Sequence, residues 1–203
     1  MDAAWSYQLL LAFVVFAIVG LYTPGPNNVM LLASGLNFGL RRTLPHVAGV
    51  SFGFAFLVAV VGLGLGAVFA AYPLLQTVLK YAGAAYLVWL AVMIARAGPV
   101  EPGTAASKPL TFWQAALFQW INVKGWVIAI GTITTYAAFA SYPWNIIAMA
   151  ALLLVLGLSS SVAWALSGAA LQSVVRSPGA VRIINWVMAS LLLASLYPVL
   201  TET

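Results

Sequence analysis

The chain has 203 residues, of which 64% are hydrophobic and only 5% charged, whereas a soluble globular domain carries about 25% charged residues. Eight Lys and Arg against three Asp and Glu, with a mean hydropathy of +1.06, exclude disorder, a nucleic-acid partner and nearly every soluble enzyme class. The basic residues stand singly or in pairs between apolar runs and form no patch that tracks phosphates, so the natural solvent of the chain is the lipid bilayer.

A membrane helix needs about 20 mostly apolar residues, and six such runs follow in order. They are Tyr7 to Leu40, Leu44 to Ala71, Pro73 to Ala95, Phe112 to Ala140, Trp144 to Leu171 and Ile183 to Leu200. The first is not a cleaved signal peptide, because Asp2 stands where a basic segment belongs and no A-x-A cleavage pattern follows. The first and fourth runs are too long for one straight crossing and contain helix breakers near their middles, which predicts discontinuous helices there. Zero cysteines exclude disulfides and thiolate zinc sites, and one histidine with three distant carboxylates builds no metal site, so no cofactor or metal is implied.

The loops explain the basic excess. Arg41 and Arg42 fall between runs one and two, Arg96 and Lys108 between three and four, and Arg176 and Arg182 between five and six. The alternate loops carry no Lys or Arg, so the positive-inside rule places both chain ends outside the cytoplasm. The one sizeable loop, GPVEPGTAASKP, reads as a flexible cytoplasmic linker. Residues 1–203 thus form a single transmembrane domain, with one three-span repeat over about 7–96, the linker over 97–110 and a second repeat over about 111–203.

Sliding QWINVKGW (119 to 126) back by 98 residues onto LYTPGPNN (21 to 28) sets Asn122-Val123-Lys124 against Pro24-Gly25-Pro26. Each segment interrupts the first span of its half, and an odd span count gives the halves opposite orientations. That is the arrangement of inverted-repeat transporters, whose sites lie between broken helices. At the first break, Pro24 and Pro26 leave the carbonyls of Gly20 and Tyr22, their i−4 partners, without helical donors, and Gly25 relieves the bend. A half-helix restarting at Pro26 leaves the backbone N–H groups of Asn27 and Asn28 free at its positive end, where a carboxylate fits. A plain proline kink is the alternative. At the second break, Lys124 stands mid-span, where a charge costs at least about 2.5–3.5 kcal/mol. Three roles fit it: pairing with a substrate carboxylate, capping freed carbonyls, or snorkelling. Gln119 and Asn122 stand close enough along the helix to add amide contacts.

TPGPNN at 23 to 28, AGVSFGF at 48 to 54, YAGAAYLVWLA at 81 to 91 and the fourth-run break resemble the LysE/RhtB family of bacterial inner-membrane amino-acid exporters. Many members carry Asn-Pro-Lys at the fourth-span break and an acid in the fifth span, where this chain has Asn122-Val123-Lys124 and Ser159 to Ser161. KPLTFWQAALFQWINVK (108 to 124) with WALSG (164 to 168) is similar to the cysteine/O-acetylserine branch. The resemblance implies a secondary transporter exporting a small neutral amino acid or its acetylated derivative, coupled to the proton gradient. A zwitterion would place its carboxylate at Asn27 and Asn28 or Lys124, and its ammonium on freed carbonyls and an aromatic face such as Trp120, Trp126 or Trp164. Each tryptophan also suits packing or an interfacial belt. Gly49 and Gly53 form a GxxxG that fits packing within the bundle or a homodimer. For proton coupling, Lys124 or His46 can titrate, although His46 follows Pro45 beside Arg41 and Arg42 and reads as an interfacial residue. The alternative readings are a passive channel or structural membrane subunit, and an intramembrane serine protease, for which Ser34 or Ser167 would need His46 within reach.

Overall fold

A computed structural model describes residues 7–65, 71–96, 108–174 and 177–197, and among these every regular element is helical. Helix α1 (Tyr7–Tyr22) ends where Pro24 removes a backbone donor, and α2 (Pro26–Phe38) restarts with Pro26 at its first position and extended Gly25 as its N-cap. The chain turns at Gly39, whose φ of 73° is the left-handed conformation glycine adopts without strain, straight into α3 (Leu40–Val60). Arg41 and Arg42 therefore lie on the first turn of α3 rather than in a loop. A π-helical turn, Val61–Leu65, follows α3, and α4 spans Pro73–Arg96.

The second half opens on α5 (Phe112–Phe118), whose start is fixed by reciprocal bonds between Thr111 and Gln114. After a short turn, α6 (Val123–Tyr136) takes Asn122 as its N-cap. The long α7 (Trp144–Val174) and then α8 (Pro178–Ala194), capped by Ser177, complete the chain. Leu40–Gly64 and Trp144–Gln172 are long and apolar enough to cross a membrane. The pairs α1/α2 and α5/α6 meet the same standard together and bend by 51° and 63° at their breaks, as the two interrupted runs predict.

α7 is the spine: α2 and α3 pack along it, α1 packs on α6 and α7, α5 packs on α3, and α4 and α8 pair beside α2. Lipid supplies no hydrophobic force between apolar helices, so close backbone approach carries the packing. A Cβ added at Gly35 would stand 2.1 Å from the Ala165 carbonyl oxygen, and one at Gly168 would stand 2.1 Å from that of Leu32, so each of these glycines receives the other helix's backbone. Gly49 and Gly53 do the same for α5, at 2.3 Å from the Phe112 oxygen and 2.6 Å from the Ala116 Cα. The GxxxG motif is thus used inside the bundle. This packing brings the breaks of α1/α2 and α5/α6 against each other.

Candidate functional site

At the first break the helical ladder ends with the Thr23 N–H on the Val19 carbonyl and resumes with the Val29 N–H on the Gly25 carbonyl, 3.0 Å each. The carbonyls between them need donors. Asn28 Nδ2 donates to the Leu21 and Thr23 oxygens at 2.8 and 2.9 Å, and Ser160 Oγ from α7 donates to Leu21 at 2.9 Å. The acceptors served by side chains are therefore Leu21, Thr23 and Pro24 rather than the Gly20 and Tyr22 carbonyls counted from the prolines. Unwinding over Thr23–Gly25 strips the whole last turn and the connecting residues, not just the two positions opposite a proline. Pro26 is buried at the restart, and no side chain caps the new N-terminus, so the Asn27 and Asn28 N–H groups precede the first helical bond as expected.

The second break reaches across to the first. Lys124 Nζ donates to the Thr23 carbonyl at 2.6 Å and to that of Pro24 at 3.4 Å. It therefore caps freed carbonyls, and those carbonyls belong to the break of the other bent helix pair. Its stem lies over Gly25, where an added Cβ would come within 2.8 Å of Lys124 Cδ and 2.9 Å of Nζ. What Gly25 allows is this close approach of the lysine stem and not its backbone angle, since a φ of −174° is open to any residue. Gln119, fully buried in the turn between α5 and α6, exchanges two amide bonds with Asn27, at 2.8 and 3.1 Å. Asn122 is buried with its Oδ1 unpartnered.

These groups surround a cavity of about 40 Å³ lined by Gly25, Asn27, Asn28, Asn122 and Lys124, with space for ordered water and too small for an amino acid without movement of the breaks. The remaining wall comes from residues the sequence did not single out for binding: Ser51 and Phe54 of α3, and Gly157, Ser160 and Ser161 of α7. Ser51 Oγ donates to Ser161 Oγ at 3.2 Å. The visible signal was the Ser159 to Ser161 run inside an otherwise apolar span. The tryptophans are elsewhere: Trp126 Nε1 bonds the Trp120 carbonyl, Trp120 stacks edge-on with Phe56, and Trp164 packs beside Leu31 and Val47. Phe54 is the aromatic residue lining the cavity.

His46 is not interfacial. It is fully buried, with Nδ1 2.9 Å from Ser34 Oγ. A serine–histidine contact alone does not make a nucleophilic site, which needs a group orienting the far ring nitrogen, and His46 Nε2 has no hydrogen-bond partner. Ser167 is occupied separately on the Ala163 carbonyl.

A family model described as LysE type translocator matches residues 18–195. The chain is 33% identical over 185 residues to a cysteine/O-acetylserine efflux protein of Klebsiella pneumoniae, covering 91% of this chain and 93% of that protein. It is 35% identical over 187 residues to proteins of the same description from Escherichia coli strain K12 and Shigella flexneri serotype 5b, again covering 91% of this chain and 93% of each. No solved structure matches it.

Proposed function

The chain belongs to the LysE type translocator family and is a transporter, not an enzyme, and we propose that it exports a small neutral amino acid of the cysteine/O-acetylserine type from the cytoplasm in exchange for protons. The observation that carries this reading is the reach of Lys124 across two helix breaks to the Thr23 and Pro24 carbonyls. It joins the only pair of bent spans among the described residues at one small polar cavity. The substrate carboxylate takes the Asn27 and Asn28 N–H groups at the positive end of α2, drawing Lys124 towards itself. The ammonium takes the unpartnered Asn122 Oδ1 and the carbonyls Lys124 gives up, with Phe54 offering an aromatic face. A zwitterion thus replaces a lysine–carbonyl contact and leaves few buried groups unpaired.

In this reading α1/α2, α3 and α4 form one three-span repeat, and α5/α6, α7 and α8 form its inverted partner, in the bacterial inner membrane with both ends periplasmic. The ends of α2 and α4 and the starts of α3 and α5 line one cavity, and Asn37 near the end of α2 pairs with Asn185 of α8. This supports a shared side for the three basic junctions.

Efflux of labelled amino acids from loaded cells, at two external pH values with and without an uncoupler, tests the function. Uphill export of cysteine or O-acetylserine that collapses with the uncoupler is the expected result. Transport that only follows the substrate's own gradient would mean a passive channel.

A further inference from the structure

On the α2/α3 junction side of the central site, α2, α3, α4 and the start of α5 line a second, half-open cavity of about 340 Å³. The two cavities share helix faces. Asn27 lines the first, and Met30, Ser34 and Asn37, on the same stripe of α2 at helical spacing, line the second. On α3, Val50 and Phe54 line the first, while His46, one turn before Val50 and about 6 Å along the axis, lines the second.

Proton-driven export needs a side chain that takes up and releases a proton. The three carboxylates, Asp2, Glu101 and Glu202, sit near the chain ends and in the linker, outside the described residues. Lys124 is engaged with carbonyls at the central site. His46 is the only histidine in the chain, is fully buried within α3, and has Nδ1 on Ser34 while Nε2 is unpartnered. We propose that His46 is the proton-carrying side chain of this exporter, loaded and unloaded at Nε2 through the second cavity, with Ser34 as its positioning partner. The inference rests on the proton-driven reading above.

The chemistry balances simply. A proton adds to the Nε2 lone pair to give an imidazolium, and the neutral ring re-forms when it leaves. The Ser34 oxygen accepts a hydrogen bond as readily as it donates one, so Nδ1–H keeps its partner in the charged state. An imidazolium is costly in dry apolar surroundings and tolerable in hydrated ones, so proton occupancy follows hydration of the cavity beside the ring. The surroundings suit release. α2 offers Ser34 and Asn37, the latter tied to Asn185 by bonds of 2.9 and 3.0 Å. On α3, Arg42 lies one turn earlier with its guanidinium 6.0 Å from the Phe38 ring centre. α4 contributes the apolar Trp89, Leu90, Met93 and Ile94, and the start of α5 contributes Thr111, Gln114 and Lys108. α7 packs there through Leu158, Val162 and Ala165. Lys108 is the charged side chain on the lining, and its repulsion disfavours the imidazolium and so favours loss of the proton.

The test uses full-length protein, purified through a non-histidine tag, in proteoliposomes with labelled O-acetyl-L-serine as probe. Counterflow against unlabelled O-acetyl-L-serine needs no net proton movement. Accumulation driven by a one-unit pH gradient does, and reaches about tenfold at one proton per substrate. His46→Gln is expected to retain counterflow and lose accumulation, its ratio falling to that of liposomes without a gradient. A His46→Gln protein that accumulates substrate like the wild type overturns the inference and leaves the transport reading standing. Wild-type protein that performs counterflow but never accumulates substrate in response to the pH gradient overturns the proton-driven reading and the inference together. A second measurement needs no variant: with ¹⁵N-labelled histidine, the single ring of the wild type is expected to gain a proton on acidification and lose it on addition of O-acetyl-L-serine. One unchanging protonation state between about pH 5 and 8, with and without that probe, would overturn the inference.

Discussion

Lys124→Met is expected to reduce efflux of O-acetylserine by roughly ten- to a hundredfold while the protein still inserts at normal abundance. The substitution keeps a flexible stem over Gly25 and removes the charged head that donates to the Thr23 and Pro24 carbonyls. A charge-assisted hydrogen bond is worth about 1.5–3 kcal/mol, which corresponds to that range of rate or affinity. The fold is less exposed to the loss. Thr23 keeps its bond from Asn28 Nδ2, and Leu21 keeps donors from Asn28 and Ser160. Efflux from loaded cells together with membrane abundance checks the prediction, and a variant exporting at the normal rate would remove Lys124 from the transport cycle.

The largest effect on folding is expected at the α2–α7 contact. With the Ala165 oxygen 2.1 Å from a Cβ at Gly35 and the Leu32 oxygen 2.1 Å from one at Gly168, the obstacle at each site is backbone and cannot rotate away. The helices must separate, and overpacking of this kind costs about 1–3 kcal/mol per site and sometimes more. Gly35→Ala and Gly168→Ala should each lower the yield of monodisperse protein in detergent and its melting temperature. The double variant should cost less than the sum, because the first separation makes room for the second methyl. Gly20→Ala is the control: its Cβ would meet side-chain atoms of Ile128 and no backbone, the nearest being Cδ1 at 3.2 Å, and should change little.

Much of this was legible in the sequence, because lipid imposes simple rules. The apolar runs became helices, although α8 starts at Pro178, five residues before the expected Ile183, so that Arg182 lies on it and not in a loop, and Pro24, Pro26 and the Asn122–Lys124 segment marked the two bends. Gly25, Asn27, Asn28, Gln119, Asn122 and Lys124 were singled out by local chemistry, since a broken helix must find donors for its own carbonyls, and the structure brings them together. What local reasoning missed was contact between distant elements. It could not show that Lys124 serves the break between α1 and α2, that Asn27 and Gln119 pair across 92 positions, or that Ser51, Ser160 and Ser161 complete the wall. His46 was misplaced for a related reason. Neighbouring Arg41 and Arg42 suggested an interface, but α3 begins at Leu40, so four further residues carry the ring into the bundle, onto Ser34.

The most direct test of the central claim, that substrate binds between the two breaks, is Asn122→Leu. Asn122 Oδ1 is buried and unpartnered, and its side chain does not cap α6, so replacement by an apolar group of similar size removes an unsatisfied acceptor at little structural cost. Saturation binding of labelled O-acetylserine to the purified wild type and variant, alongside their melting temperatures, separates the two roles. The account predicts a variant at least as stable as the wild type that has lost saturable binding. A variant that binds O-acetylserine with wild-type affinity would contradict it.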